Sequence, residues 1–187
     1  MAYRYPVDAI DTLWADALAS GESTMPRIAV SQTAVASGNG SMRFTYFTAR
    51  KSETITQVRW PCAATAQVGA SLCRIGVYSV NGSGDLTLVA ATANDTNLWL
   101  AGSTSYTKSF ASSFAKVRGT RYAMAALVVG TSTAPTFYGQ TALIAGENGF
   151  APVVASLLSG QTDLPSSVPV GSLTLGQSHR AYAALLP

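Results

Sequence analysis

The side chains able to act as nucleophile, base or metal ligand are few. The 187-residue chain holds one histidine, His179, and two cysteines, Cys62 and Cys73. Any Ser-His or Cys-His nucleophilic system would have to use His179. A lone imidazole beside Arg180, at the start of an alternating run, reads better as a packing or surface residue. Two cysteines and one histidine do not make a zinc site. Cys62 and Cys73 are expected as buried thiols rather than a bridge, because Met1-Ala2-Tyr3-Arg4 leads into Asp8, Asp11 and Asp16, not into an export signal.

The carboxylates are Asp8, Asp11, Asp16, Glu22, Glu53, Asp85, Asp95, Glu147 and Asp163. None forms the close pair that would suggest glycosidase chemistry. There is no G-x-G-x-x-G after a strand and no phosphate-binding loop. Asn81-Gly82-Ser83 and Asn94-Asp95-Thr96 match the glycosylation pattern, as chance allows in a Ser/Thr-rich chain. No catalytic group, cofactor or metal is therefore expected. The sequence favours a binding or structural protein over an enzyme such as a sandwich-built depolymerase or esterase.

Composition sets the surroundings. Charged residues make up only 11 % of the chain and hydrophobic ones 48 %. A surface so poor in charge points to partial cover in an assembly, and a homo-oligomer is expected. The net charge of +3 comes from scattered residues. Arg50-Lys51 and the trio Lys116, Arg118 and Arg121 are expected as solvated strand ends. Without a stripe of interleaved aromatics, no nucleic-acid partner is expected. No run reaches the length of a membrane span, and folding in a cytoplasm is the default.

Residues 1–27 differ from the rest and are expected as an arm. Pro6 suits a first helical turn. Val7, Ile10, Leu13, Trp14, Ala17 and Leu18 recur at spacings of three and four, Asp8 and Asp11 oppose the helix dipole, and Gly21 is a stop. The spacing predicts an amphipathic helix over 7–19 whose stripe packs on its own domain or on a neighbouring subunit; in the second case Val7, Ile10, Leu13, Trp14 and Leu18 are the partner-anchoring residues.

Residues 28–187 read as an all-β domain. Period-two runs predict strands over 28–34, 42–48, 54–60, 105–111, 136–139 and 179–186, and the continuous apolar run 121–129 reads as a buried strand, although its alanines would also suit a helix. The clearest unit is 72–91, where Cys73, Ile75 and Val77 alternate with Arg74, Gly76 and Tyr78 before the Asn81-Gly82-Ser83-Gly84-Asp85 turn. Arg74, Tyr78 and Asp85 read as surface and turn residues. Asn94 or Asp95 is expected to cap a short turn through Leu98, Trp99 and Leu100. MRFTYFT at 42–48 carries aromatics on both faces, so it is covered on both sides or shows one face to a partner. Small Ala123 and Ala125 leave room for a large neighbour. Residues 142–171, rich in Gly, Ser and Pro, predict a long excursion over the surface or across a neighbouring subunit. The whole indicates an antiparallel, jelly-roll-like β-sandwich of eight or nine strands. Trp60, Trp99 and Tyr138, each near a strand end, are candidate glycan-stacking residues, against which the tryptophans read better as core residues.

Four blocks carry a resemblance: FTYFTARKSETITQVR at 44–59, SLCRIGVYSVNGSGDLTLVAATANDTNLW at 71–99, SYTKSFASSF at 105–114 and RGTRYAMAALVVGTSTAPTFYGQ at 118–140. In this order they resemble a virion β-sandwich domain of tailed phages infecting actinobacteria, commonly labelled minor tail protein, and cover about half the chain. The resemblance implies a jelly-roll-like sandwich displayed on a phage particle, assembled in the host cytoplasm, and implies no catalytic residue. Many relatives carry the domain at the end of a long tail polypeptide. A free-standing domain with its own helix equally suits a capsid decoration protein or head fibre. The expected partners are other virion proteins and further copies of the chain, with a trimer as the first expectation. The alternative is a carbohydrate-binding module for adsorption to a host envelope.

Overall fold

The computed structural model describes residues 21–141 and 152–187. Fourteen strands lie among them: β1 (Glu22–Ser23), β2 (Ser31–Ala36), β3 (Met42–Thr48), β4 (Glu53–Pro61), β5 (Leu72–Val80), β6 (Leu86–Ala91), β7 (Ser105–Lys116), β8 (Arg121–Val129), β9 (Thr136–Thr141), β10 (Ala155–Leu158), β11 (Ser167–Val168), β12 (Thr174–Leu175), β13 (His179–Ala181) and β14 (Ala184–Leu186). The all-β class expected from alternation is the observed one. The predicted helix over 7–19 and its anchoring residues lie outside the described residues. No helix among the described residues is long and apolar enough to cross a membrane.

The β5–β6 hairpin forms where alternation and turn chemistry agree. Asn81 Oδ1 accepts from the amides of Ser83 and Asp85, both at 2.9 Å, and Gly84 takes φ +91°. An L side chain rarely adopts that backbone conformation, so glycine is the residue for it.

Seven strands make one antiparallel sheet in the order β11-β6-β5-β8-β3-β10-β12, and four make a second, β1-β14-β4-β7. A three-stranded sheet, β13-β9-β2, completes the body. Between the two larger sheets lies a core that includes Ile55, Val58 and Trp60 of β4, Ile75 and Val77 of β5, Met124 and Val128 of β8, and Leu185 of β14. The far face of the seven-stranded sheet carries a second core of Met42, Phe44, Tyr46, Tyr78, Leu86 and Leu127.

That second core is roofed by the chain itself. Leu164, Val168 and Leu173 pack onto it. The described part of the 142–171 excursion is therefore partly regular: β10 pairs with β3, and β11 pairs with β6. Asp85 at the hairpin tip accepts the Val170 amide at 2.9 Å and ties the roof down. The Met42-Phe44-Tyr46 face of β3 is covered by this roof, so that face is not a partner surface. Tyr78 is fully buried rather than a surface residue; its ring meets Phe44 edge-on at 5.3 Å and its hydroxyl donates to Pro165 O at 3.1 Å. Such a ring pair contributes about 1 kcal/mol beyond its buried area. Ala123 and Ala125 stand opposite Tyr78 and Phe44, so the large neighbours they admit are those two rings.

Other expectations need correction at their edges. The first long strand begins at Ser31, after a 3-10 turn over Arg27–Ala29. β7 runs on to Lys116 instead of ending near 111. The predicted closing strand 179–186 is two strands: β13 pairs with β9, the chain changes sheet at Tyr182-Ala183, and β14 pairs with β4. Residues 22–23, assigned by sequence to the arm, pair with β14 and belong to the body.

Candidate functional site at the root of the arm

Period two carries charge into the core where β4 meets β7. Glu53 and Ile55 point to the same side, as do Phe114 and Lys116, and the register sets Glu53 opposite Lys116 and Ile55 opposite Phe114. Lys116 Nζ lies 2.7 Å from Glu22 Oε2, donates to Lys51 O at 2.8 Å, and has Glu53 Oε1 at 3.0 Å as an ion-pair contact. The ammonium has three hydrogens, and three oxygens surround it. The Lys116 side chain is 0 % exposed and that of Glu22 2 %.

Glu22 is held from its other side by Arg50, whose backbone amide donates to Oε2 at 3.0 Å and whose Nε donates to Oε1 at 2.8 Å. Two carboxylates and two cations thus form a closed group. Desolvating each ion costs several kcal/mol, which only mutual pairing and full hydrogen bonding offset. Burial pushes the Glu53 carboxyl up, but the Gly21 amide and Lys116 outweigh it and hold the carboxyl below its ordinary value.

This cluster grips the point at which residues 1–20 join the body. Gly21 N donates to Glu53 Oε2 at 3.1 Å. Gly21 has φ +88°, and a Cβ there would lie 2.3 Å from Leu185 O, so only glycine passes. Thr24 adds a second grip. Its Oγ1 donates to Ala181 O at 2.9 Å and accepts from Ala183 N at 3.1 Å, which stitches the root to the bend where the chain changes sheet. Thr45 Oγ1 accepts from Ala181 N at 2.9 Å from the other side. Arg180 Nη2 donates to Thr24 O at 3.0 Å and to Tyr46 O at 2.9 Å.

Beside the root a cleft of about 260 Å³ opens between residues 22–26 and Phe47-Thr48, with Arg50 and Arg180 in its wall. A smaller cleft of about 150 Å³ adjoins it through Phe47 and Thr48. There the Arg121 guanidinium sits 4.7 Å above the centre of the Tyr46 ring and donates to Val153 O.

No protein-family model matches the chain, and no curated protein does.

The candidates read from the sequence fall elsewhere. Val7, Ile10, Leu13, Trp14 and Leu18 lie outside the described residues. Trp60 and Trp99 are 1 % and 0 % exposed and close on Phe137 at 5.5 Å and 4.9 Å. Neither presents a ring face to a sugar, which corrects the glycan-stacking expectation for both; Tyr138 is half-buried. Trp99 takes φ +62° at the end of the turn that Asp95 caps, where Asn97 N donates to Asp95 Oδ1 at 2.9 Å. Asn94 does not cap; it bridges Cys73 N and Ser71 O.

His179 is buried, with neither ring nitrogen hydrogen-bonded among the described residues. Burial, followed by the nearby Arg43, pushes its pKa down to about 4, so the imidazole is neutral at pH 7. Cys62 and Cys73 are free, buried thiols, and burial pushes both up to about 11. Among the described residues no group of His, Cys, Asp and Glu could hold a metal ion.

Sequence reasoning missed Glu22, Glu53 and Lys116. Lys116 was expected on a solvated strand end and is fully enclosed. The signal was alternation itself: extending the β7 pattern from Phe114 by two puts Lys116 on the core face, and stepping back two from Ile55 puts Glu53 there.

Proposed function

We propose that the chain is a non-enzymatic structural component of a phage virion, displayed on the particle surface as a minor tail or capsid decoration protein and anchored by its N-terminal arm. The observation that carries this reading is the buried ion cluster at the arm root. An arm that bears load needs a root that does not peel, and Glu22 is tied by Lys116 and Arg50 while Thr24 is stitched to the sheet-changing bend. Two further observations support it. The four blocks of the phage resemblance tile β3 to β9 in order. With β3-β8-β5 paired in one sheet and β4-β7 in the other, we read the all-β fold more finely as jelly-roll-like.

The partners in this reading are neighbouring virion proteins and further copies of the chain in a homo-oligomer. The test is whether the chain co-purifies with intact particles, and in what ratio to the major capsid protein. Hundreds of copies per particle would mark decoration and a few would mark the tail, on the order set by shell and tail symmetry. Absence from purified particles would refute the proposal.

A further inference from the structure

We infer that the cleft beside β1 receives the apolar stripe of residues 7–18 from a second copy of the chain. The inference rests on the proposal above in one respect, that residues 1–20 act as a docking arm. Three observations carry it.

The first is the chemistry of the cleft. Met25, Pro26 and Phe47 give it an apolar floor, and Arg50 and Arg180 stand in its wall, with Arg121 in the adjoining cleft. Among the described residues β1 is the outermost strand of its sheet, and none of them adds a strand on the side of residues 22–23 away from β14.

The second is charge. Residues 1–20 hold one base, Arg4, against Asp8, Asp11 and Asp16, while residues 21–187 hold eleven bases and six acids. An acidic segment with an apolar stripe suits a cleft whose wall sets Arg50 and Arg180 against the single carboxylate Glu22, with Arg121 in the adjoining cleft. Trp14 is the side chain with the most apolar surface to bury, and tryptophan is the typical anchor of such contacts.

The third is direction. Glu22 stands opposite Leu185 and Ser23 opposite Ala184, so the chain, followed back toward residue 20, travels toward Leu186. Met25 and Pro26, in the cleft, lie the other way. The chain thus meets Gly21 on the Leu186 side of β1, opposite to Met25 and Pro26, which favours the cleft of a second copy over its own.

The test is sedimentation equilibrium of the full 187-residue chain across a wide concentration range, with two variants whose melting is first matched to the parent. Trp14→Asp removes the anchor. Thr48→Glu places bulk and a negative charge on an exposed residue of the cleft wall. The expected result is self-association that each variant weakens about thirtyfold, the loss of a tryptophan anchor. An equal mixture of the two variants should recover a heterodimer, because the sound arm of one copy meets the sound cleft of the other. A parent chain that stays monomeric overturns the inference. So does association weakened by Trp14→Asp but untouched by Thr48→Glu; the arm then docks elsewhere and the proposed function stands. Absence of the chain from particles would remove the proposed function and leave this association to be judged on its own data.

Discussion

Lys116 Nζ and Glu22 Oε2 are 2.7 Å apart inside the body, although the residues are 94 positions apart in the chain. The pair joins the last residue of β7 to the first of β1. Removing Lys116 leaves the Glu22 and Glu53 carboxylates together with only Arg50 paired to Glu22, and breaking a buried ion pair typically costs about 3–5 kcal/mol, on the order of a third of a domain's stability. Lys116→Ala is therefore expected to lower the urea midpoint of the body severely, and Glu22→Gln less, since Arg50 and Lys116 keep hydrogen-bond acceptors there. A loss of about 0.5 kcal/mol or less for Lys116→Ala, the size of an exposed pair, would show that the cluster is solvated.

Acid should loosen the protein in two stages. His179 has a folded pKa of about 4 against 6.5 unfolded. The unfolded chain binds the extra proton between those values, so stability falls as pH drops from about 6.5 to 4, by about 3 kcal/mol in total. Glu53, held below its ordinary value, contributes stability above that value and loses it as pH falls further. Melting temperature measured from pH 7.5 to 3.5 should show both slopes. His179→Leu should flatten the upper one and keep the lower.

Much of the fold was legible because turn chemistry and alternation agree locally, as at Asn81–Asp85 and along β5. What escaped depends on contacts distant in sequence. Tyr78 reads as polar and exposed until the 164–173 roof is placed over it. Leu164 and Val168 give no local sign of pairing with a face built from β3, β5 and β8. Lys116 was misplaced because lysine is almost never fully buried unless paired, and its partner Glu22 lies at the other end of the chain. The change of sheet at Tyr182-Ala183 was invisible because a continuous alternating run does not record which neighbour each half pairs with.

The tryptophans should behave as core residues. Trp99→Ala removes a ring packed on Phe137 and is expected to cost about 3–5 kcal/mol. Tyr138→Ala, at a half-buried site, should cost much less. Denaturant unfolding of the two variants side by side checks this. A Trp99→Ala protein as stable as its parent would mean the indole is not part of the core.

Both thiols should be silent in the native protein. Cys62 and Cys73 are buried, and burial raises each to about 11, so almost no thiolate exists at pH 8. A colorimetric thiol reagent should find no fast-reacting cysteine before denaturant is added and two afterwards. Rapid native labelling of either would contradict the packing of the inner core.

The account turns on where the body sits. Electron cryo-imaging of intact particles, at a resolution that separates strands, tests this directly. For the proposed surface role, the expected result is the described β body on the outside of the particle with residue 21 toward the shell or tail. Particles whose every surface density is filled by other proteins, with this chain absent, would contradict it.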